Sequence, residues 1–265
     1  MNAKASAVAV KTRPIEQLEN NAKDASLIER LAAQLSPGEL DALKYRLSVA
    51  AIQKMGEGAQ GNFDLGADTA AAADLLQSLV NIQPYRDRIP TYGLAYRGRP
   101  DFMTDDLLKA LQQESSRFRA SAKRQLDQYI SQIHTDNSST VCEQLAASEE
   151  LLALVRQQAG PALRSYITSY LYYDTPGQYS QPHVDNAFTS ITVMVGLAQE
   201  NAQNPANQQS SSVIFWPHSP RLDYRLQPGE LSIFFGASVL HGRTRVASGE
   251  SVRSLLMSFR PDLSQ

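Results

Sequence analysis

Cysteine is nearly absent from this chain: Cys142 is the only one in 265 residues. An intrachain disulfide is therefore excluded, and so is a thiolate-rich zinc site. A single thiol fits a reducing compartment, and the expected location is the cytosol. Long apolar runs are also missing. No window approaches the ~18 residues that a membrane-crossing helix needs, and the first 30 residues hold no apolar core of the signal-peptide kind. No membrane partner is expected. Neither sign of charge dominates, with 25 Lys and Arg against 27 Asp and Glu and a net charge of −2. A broad cationic field for nucleic acid is thereby excluded. What remains, 42% hydrophobic and 20% charged residues, is ordinary globular composition.

The pattern along the chain changes near its middle. Up to about residue 160 it is mostly helical, and residues 1–85 are read as a helical N-terminal region. Residues 1–13 form a tail. Leu18, Leu27, Ile28, Leu31 and Leu35 follow a helical stripe. Ser36-Pro37-Gly38-Glu39 offers a helix start, with Ser as cap, Pro in the first turn and Glu three residues on. The glycine-rich segment 56–66 reads as a loop, and the Ala/Leu-rich segment 68–80 as a helix. Residues 84–100 carry three prolines, three tyrosines and four arginines, which suits an extended linker or a pair of strands. A helix beginning at Thr104-Asp105-Asp106 is expected to run to His134, and another spans 142–158 before Gly160-Pro161.

From Tyr166 onward, YITSYLYY, SITVMVGL, SSVIFW, ELSIFF and VRSLLMSF are rich in β-branched and aromatic residues and are separated by Pro, Gly and Asn. Residues 201–212 form a polar loop. The fold class is α+β, with an antiparallel β unit over the second half and helices packed on one face of it.

Histidine is scarce, with four in the chain, and three lie in the β half. His183 and Asp185 are two apart, so on an extended strand both face the same way. His183 is placed at the start of a strand. His241 follows 56 residues after Asp185, just beyond ELSIFF. Two imidazoles and one carboxylate with open positions are the ligand type of non-heme Fe(II) oxygenases. Arg253 comes 12 residues later inside an apolar strand pattern, where a cation needs an anionic partner.

With His183-x-Asp185, His241-Gly242, Arg253 after Gly249 and the run PGELSIFF on the page, the segment from Tyr166 to Pro261 resembles the Fe(II)/2-oxoglutarate-dependent oxygenase superfamily. The resemblance implies a double-stranded β-helix, or jelly roll, within a domain covering residues 86–265. It implies Fe(II) held by His183, Asp185 and His241 as the catalytic centre, with 2-oxoglutarate and dioxygen as cosubstrates and release of succinate and CO2. Arg253 would hold the far carboxylate of the oxoacid, since a guanidinium matches a carboxylate with two hydrogen bonds. The superfamily's Arg-x-Ser is here Arg253-Ser254-Leu255, so a second anchor is sought in Tyr170, Tyr172 or Thr192. Arg245 is the rival cation. Because the carboxylate of Asp185 is kept, halogenation is disfavoured; hydroxylation, desaturation and ring formation stay open.

Each of these residues also has a plain structural role available. An isolated strand histidine is more often a surface or satisfied core residue, and Asp185-Asn186 alone is turn chemistry. Trp216 is by default core, His218 a loop residue between two prolines, and Arg221 a solvated cation; as a set they are the candidates for substrate contact. His134 is assigned to a helix end and Cys142 to a buried helical position. The leading reading is oxidation of a small molecule, such as an amino acid or natural-product intermediate. The alternatives are a prolyl-type protein hydroxylase of the same superfamily and a non-catalytic, cupin-like binding protein. A homodimer is left open.

Overall fold

A computed structural model describes residues 27–56, 69–125, 130–201 and 209–264. The readings for residues 1–13, Leu18 and most of the loops 56–66 and 201–212 lie outside these. Two antiparallel sheets face each other. The larger has seven strands in the order β1-β9-β6-β11-β4-β3-β2, and the smaller has four in the order β5-β10-β7-β8. The strands are β1 (Leu94–Gly98), β2 (Lys123–Gln125), β3 (Ile130–Thr135), β4 (Ala162–Tyr173), β5 (Ser180–His183), β6 (Ile191–Asn201), β7 (Ser212–Phe215), β8 (Leu222–Tyr224), β9 (Leu231–Phe234), β10 (Leu240–Arg243) and β11 (Glu250–Pro261). Neighbours distant in sequence, such as β4 with β11 and β5 with β10, give the jelly roll that the family resemblance implies.

Helices cover the outer faces of both sheets, not one face of a single sheet. Against the smaller sheet lie α1 (Leu27–Ala32), α2 (Pro37–Gly56) and α3 (Ala73–Asn81). Ala51, Leu76 and Leu79 pack there on Val213, Phe215 and Leu240. The expected start of α2 is present: the Ser36 amide and hydroxyl both donate to Glu39 Oε2, at 2.8 and 2.6 Å, satisfying donors that a helix start leaves free. Against the larger sheet lie α4 (Asp105–Phe118), α5 (Val141–Ala146) and α6 (Glu149–Ala159). Leu111, Leu151 and Val155 meet Tyr170, Tyr172, Leu255, Met257 and Phe259. Among the described residues, no helix is long and apolar enough to cross a membrane.

Two local expectations are corrected. The helix begun at Thr104, whose hydroxyl accepts from the Leu107 amide, stops at Phe118 and does not reach His134. The chain turns through Arg119–Ser121 into β2 and β3, and His134 pairs with Ser169 of β4. The reason is tertiary. The open edge of β4 supplies backbone partners to Ile130–Thr135, and Ile130 gains a fully buried site, which outweighs local helix propensity. Residues 84–100 give one strand, not two: β1 follows two short 3-10 turns and pairs with β9 at the sheet edge.

A buried acid fastens α4 and α5 to the sheet. The Glu114 carboxylate, 3% exposed, accepts from the Val141 and Cys142 amides at the start of α5 and from the Tyr170 hydroxyl (2.7, 3.0 and 2.7 Å). Burial pushes its pKa up, but the bonds from Tyr170, Cys142 and Val141 together outweigh that and leave it below the ordinary value.

Candidate metal centre between the sheets

Cross-strand pairing creates the centre. His241 on β10 sits directly opposite His183 on β5. His183 therefore closes its strand instead of opening one. The chain runs on through Val184, and the Asp185 amide donates to the Gly236 carbonyl at 2.9 Å. This bond fixes Asp185 beside the end of β9. One ligand atom from each of His183, Asp185 and His241 lies within 4.8 Å of the others. Both imidazole Nε2 atoms are 3.7 Å from a carboxylate oxygen of Asp185, and the two rings are 4.4 Å apart.

The histidine tautomers follow from their partners. His183 Nδ1 is 2.7 Å from the Gln181 carbonyl and His241 Nδ1 is 3.0 Å from the Val239 carbonyl. A carbonyl only accepts, so each Nδ1 carries the proton and each Nε2 turns a lone pair toward the common centre. Burial pushes the His241 pKa down to about 4, against the attraction of the Asp185 carboxylate, so its ring is neutral at pH 7. Neutral imidazole is the form that binds a metal. Asp185 Oδ2 accepts from the Thr192 hydroxyl at 2.6 Å, an outer contact of the kind that orients a ligating carboxylate. Gly236 makes room: a Cβ there would stand 2.1 Å from Asp185 Oδ2 and 2.5 Å from Thr192 Oγ1.

The donor set fits a divalent first-row ion. Imidazole and carboxylate ligands bind such ions at about 2.0–2.2 Å, so the 3.7 Å separations close with small side-chain movements. With three protein ligands on one side, positions stay open for exogenous groups. The cavity beside them has a volume near 430 Å³, within the range of small-ligand sites. Gln132 and His134 of β3, Ser169 and Leu171 of β4 and Met194 of β6 also line it.

The other predicted residues scatter. Thr192 reaches the centre, through Asp185. Tyr170 and Tyr172 point to the outer face of the larger sheet, where Tyr170 meets Glu114 and the Tyr172 hydroxyl donates to the Ser115 carbonyl. Arg253 is on that outer face too, donating to Ser116 Oγ at 2.9 Å. Strand parity is the reason: Leu255, Met257 and Phe259 belong to the helix-facing core, whereas Leu256 lines the cavity. Arg245 donates to the Gly177 carbonyl and lies over the Tyr179 ring, 4.1 Å from its centroid. Trp216 is buried near Tyr92, His218 occupies a positive-φ turn, and Arg221 pairs with Asp223. Of these predicted residues only Thr192 lines the cavity.

Sequence reasoning passed over Arg243, Tyr173, Ser212 and Tyr224, all of which line the cavity. For Arg243 the signal was available, because it follows His241 by two residues, the same spacing that marked His183 and Asp185.

No family model matches the sequence, and no curated protein matches it. Solved structures do match. A prolyl-4-hydroxylase from Pseudomonas putida is 20% identical, with 71% of this chain and 99% of that one covered and a TM-score of 0.54. The non-heme alpha-ketoglutarate-dependent epimerase SnoN from nogalamycin biosynthesis is 17% identical over 71% of this chain and 83% of its own (TM-score 0.53). A Trichoplax adhaerens prolyl hydroxylase bound to a hypoxia-inducible-factor peptide is 13% identical over 71% and 90% (TM-score 0.50). The chain has the fold of the Fe(II)/2-oxoglutarate-dependent oxygenases. The sequence resemblance drawn from His183, Asp185 and His241 agrees with the match of folds.

Proposed function

We propose that this protein is an Fe(II)- and 2-oxoglutarate-dependent oxygenase acting on a small molecule. The observation that carries the proposal is the convergence of His183 Nε2, the Asp185 carboxylate and His241 Nε2 on one point, with both Nδ1 atoms committed to backbone carbonyls. His183, Asp185 and His241 would hold the iron. When bound, the iron and 2-oxoglutarate would supply oxygen activation coupled to decarboxylation of the oxoacid to succinate and CO2. Structures of this fold include SnoN in complex with Fe3+, alpha ketoglutarate and nogalamycin RO.

The chain's own residues have defined tasks in this reading. His241, partly buried and neutral, offers its lone pair at pH 7 without first losing a proton. Thr192 holds one oxygen of Asp185, which would orient the carboxylate to bind the ion. The apolar wall of Phe234, Met194, Leu171 and Leu256 limits water around the reacting groups, which strengthens electrostatic contacts there. Gln132 and His134, joined at 2.9 Å, stand at the cavity margin as polar contacts for a substrate. The cavity's size favours a small molecule over a peptide. The buried, single Cys142 suits the cytosol.

The test is succinate formation with Fe(II), 2-oxoglutarate and oxygen, across panels of amino acids, natural-product intermediates and prolyl peptides. Wild-type turnover abolished in His183→Ala and Asp185→Ala is expected. Turnover that survives either change rejects the metal assignment, and turnover confined to peptides replaces the small-molecule reading.

A further inference from the structure

Two residues beyond His241 on β10, Arg243 enters the same cavity. It is 7% exposed. Its Nη2 donates to Ser212 Oγ at 3.1 Å, and its guanidinium carbon lies over the Tyr173 ring, 5.1 Å from the centroid. Both partners are neutral. Among the described residues no carboxylate pairs with Arg243, although Arg119, Arg164 and Arg221 each have one. A guanidinium has five donors and stays charged at any pH a protein meets. Burying it with one neutral hydrogen bond and a ring leaves most of that capacity unused, a costly state unless an anion arrives.

The register says where that anion would lie. His241 faces Ile214 across β7 and His183 across β5; Arg243 faces Ser212 and Ser180. The two positions form successive tiers of one wall, about 6.6 Å apart at ordinary strand rise. A ligand with one end at the metal tier and a carboxylate at the second tier spans such a distance; 2-oxoglutarate, a five-carbon 2-oxo diacid, is of that length. The β11 wall offers no competing cation, since Arg253 faces α4 and Leu256 faces inward.

We propose that Arg243, from the strand of the distal histidine, binds the far carboxylate of 2-oxoglutarate, with Ser212 and Tyr173 orienting its guanidinium. This rests on the oxygenase reading above. The resulting site is a two-tier wall in which one strand, β10, supplies both a metal ligand and the carboxylate anchor. It discriminates diacids from mono-acids by pairing an otherwise unmatched charge.

The experiment compares wild type, Arg243→Gln, Arg243→Lys and Arg253→Gln. Mn(II) affinity, read by electron paramagnetic resonance, first establishes that each variant holds metal. Anaerobic titration of the Fe(II) protein with 2-oxoglutarate, read by the visible charge-transfer band and by calorimetry, then gives Kd. Arg243→Gln is expected to weaken 2-oxoglutarate about 100-fold or more, and Arg243→Lys about 10-fold, because a point charge replaces a planar fork. Arg253→Gln should stay within about twofold. The mono-acid 2-oxopentanoate should bind wild type and Arg243→Gln alike. Equal 2-oxoglutarate affinity in wild type and either metal-holding Arg243 variant overturns the assignment, as does a larger loss in Arg253→Gln. If Arg243→Gln fails to hold Mn(II), the Lys variant and the preference of wild type for the diacid over the mono-acid decide. Wild-type protein that holds Mn(II) but takes up no 2-oxo acid overturns the oxygenase reading itself, and the role of Arg243 with it.

Discussion

Replacing Gly236 by alanine tests the geometry of the centre most directly. The backbone there is not in the left-handed region, so alanine is permitted by φ and the effect is purely one of space. The new Cβ would lie 2.1 Å from Asp185 Oδ2, 2.5 Å from Thr192 Oγ1 and 3.0 Å from Asp185 Cγ. Ordinary contact needs about 3.5 Å, so the carboxylate must retreat by about 1 Å or more and lose its bond to Thr192. The obstructed atoms are side-chain ends, which swing aside readily. Global stability should therefore fall only by about 1–3 kcal/mol, the usual cost of an added methyl in a packed site. Metal binding should suffer far more, about 100-fold, because a ligand displaced on the ångström scale no longer meets the ion. Mn(II) titration by electron paramagnetic resonance, with a thermal melt on the same samples, separates the two effects. A double-mutant cycle sharpens the inference: once Asp185→Ala has removed the carboxylate, adding Gly236→Ala should cost no further affinity. Wild-type Mn(II) affinity in Gly236→Ala, or full additivity in the cycle, would refute the claim that glycine is there to admit the Asp185 carboxylate.

Other expectations follow from the same contacts. Thr192→Val keeps the shape but removes the hydrogen bond to Asp185; Mn(II) affinity should drop about 10-fold, and an unchanged value would show that Thr192 does not orient the ligand. Tyr170→Phe leaves the buried Glu114 one donor short, so the melt should report a loss of about 1–3 kcal/mol with 2-oxoglutarate affinity intact; weakened cosubstrate binding would return Tyr170 to the site. Burial pushes the Cys142 thiol up to about 11, so at pH 8 the folded protein should resist a thiol-specific reagent that labels the denatured chain at once. The raised pKa also carries a sign. Below pH 9 the thiol is protonated in both states and contributes nothing, whereas between about 9 and 11 only the unfolded chain ionises. Stability should fall there by roughly 2–3 kcal/mol through this group, and Cys142→Ala should remove that share of the decline in a pH-resolved melt.

Local pattern carried much of this protein. Strands β4, β6, β7, β9 and β11 announce themselves through β-branched and aromatic residues, because a pleated half-buried surface selects them. The cap at Ser36 and Glu39 and the helix start at Thr104 depend on neighbours within four residues, so sequence suffices for both. The candidate metal-ligand set was legible because two imidazoles and a carboxylate are a recurring divalent-metal donor set, and because His183 and Asp185 share a strand face by simple alternation. What local pattern misjudged was each case where a distant partner decided. Ile130–Thr135 became a strand only because β4 offers an open edge. Arg253 looked like a buried cation in search of an anion, yet the parity of β11 turned it toward Ser116 and solvent. Arg243 was passed over in the sequence, and only pairing with β7 and β5 places it inside. A sequence states which groups are present and, through period two, which share a face. It does not state whether that face is the inner or the outer one, because the choice depends on which side of each strand the helices come to cover. Here α4 packed against one face of β11, and that contact separated the arginine that lines the cavity from the one that does not.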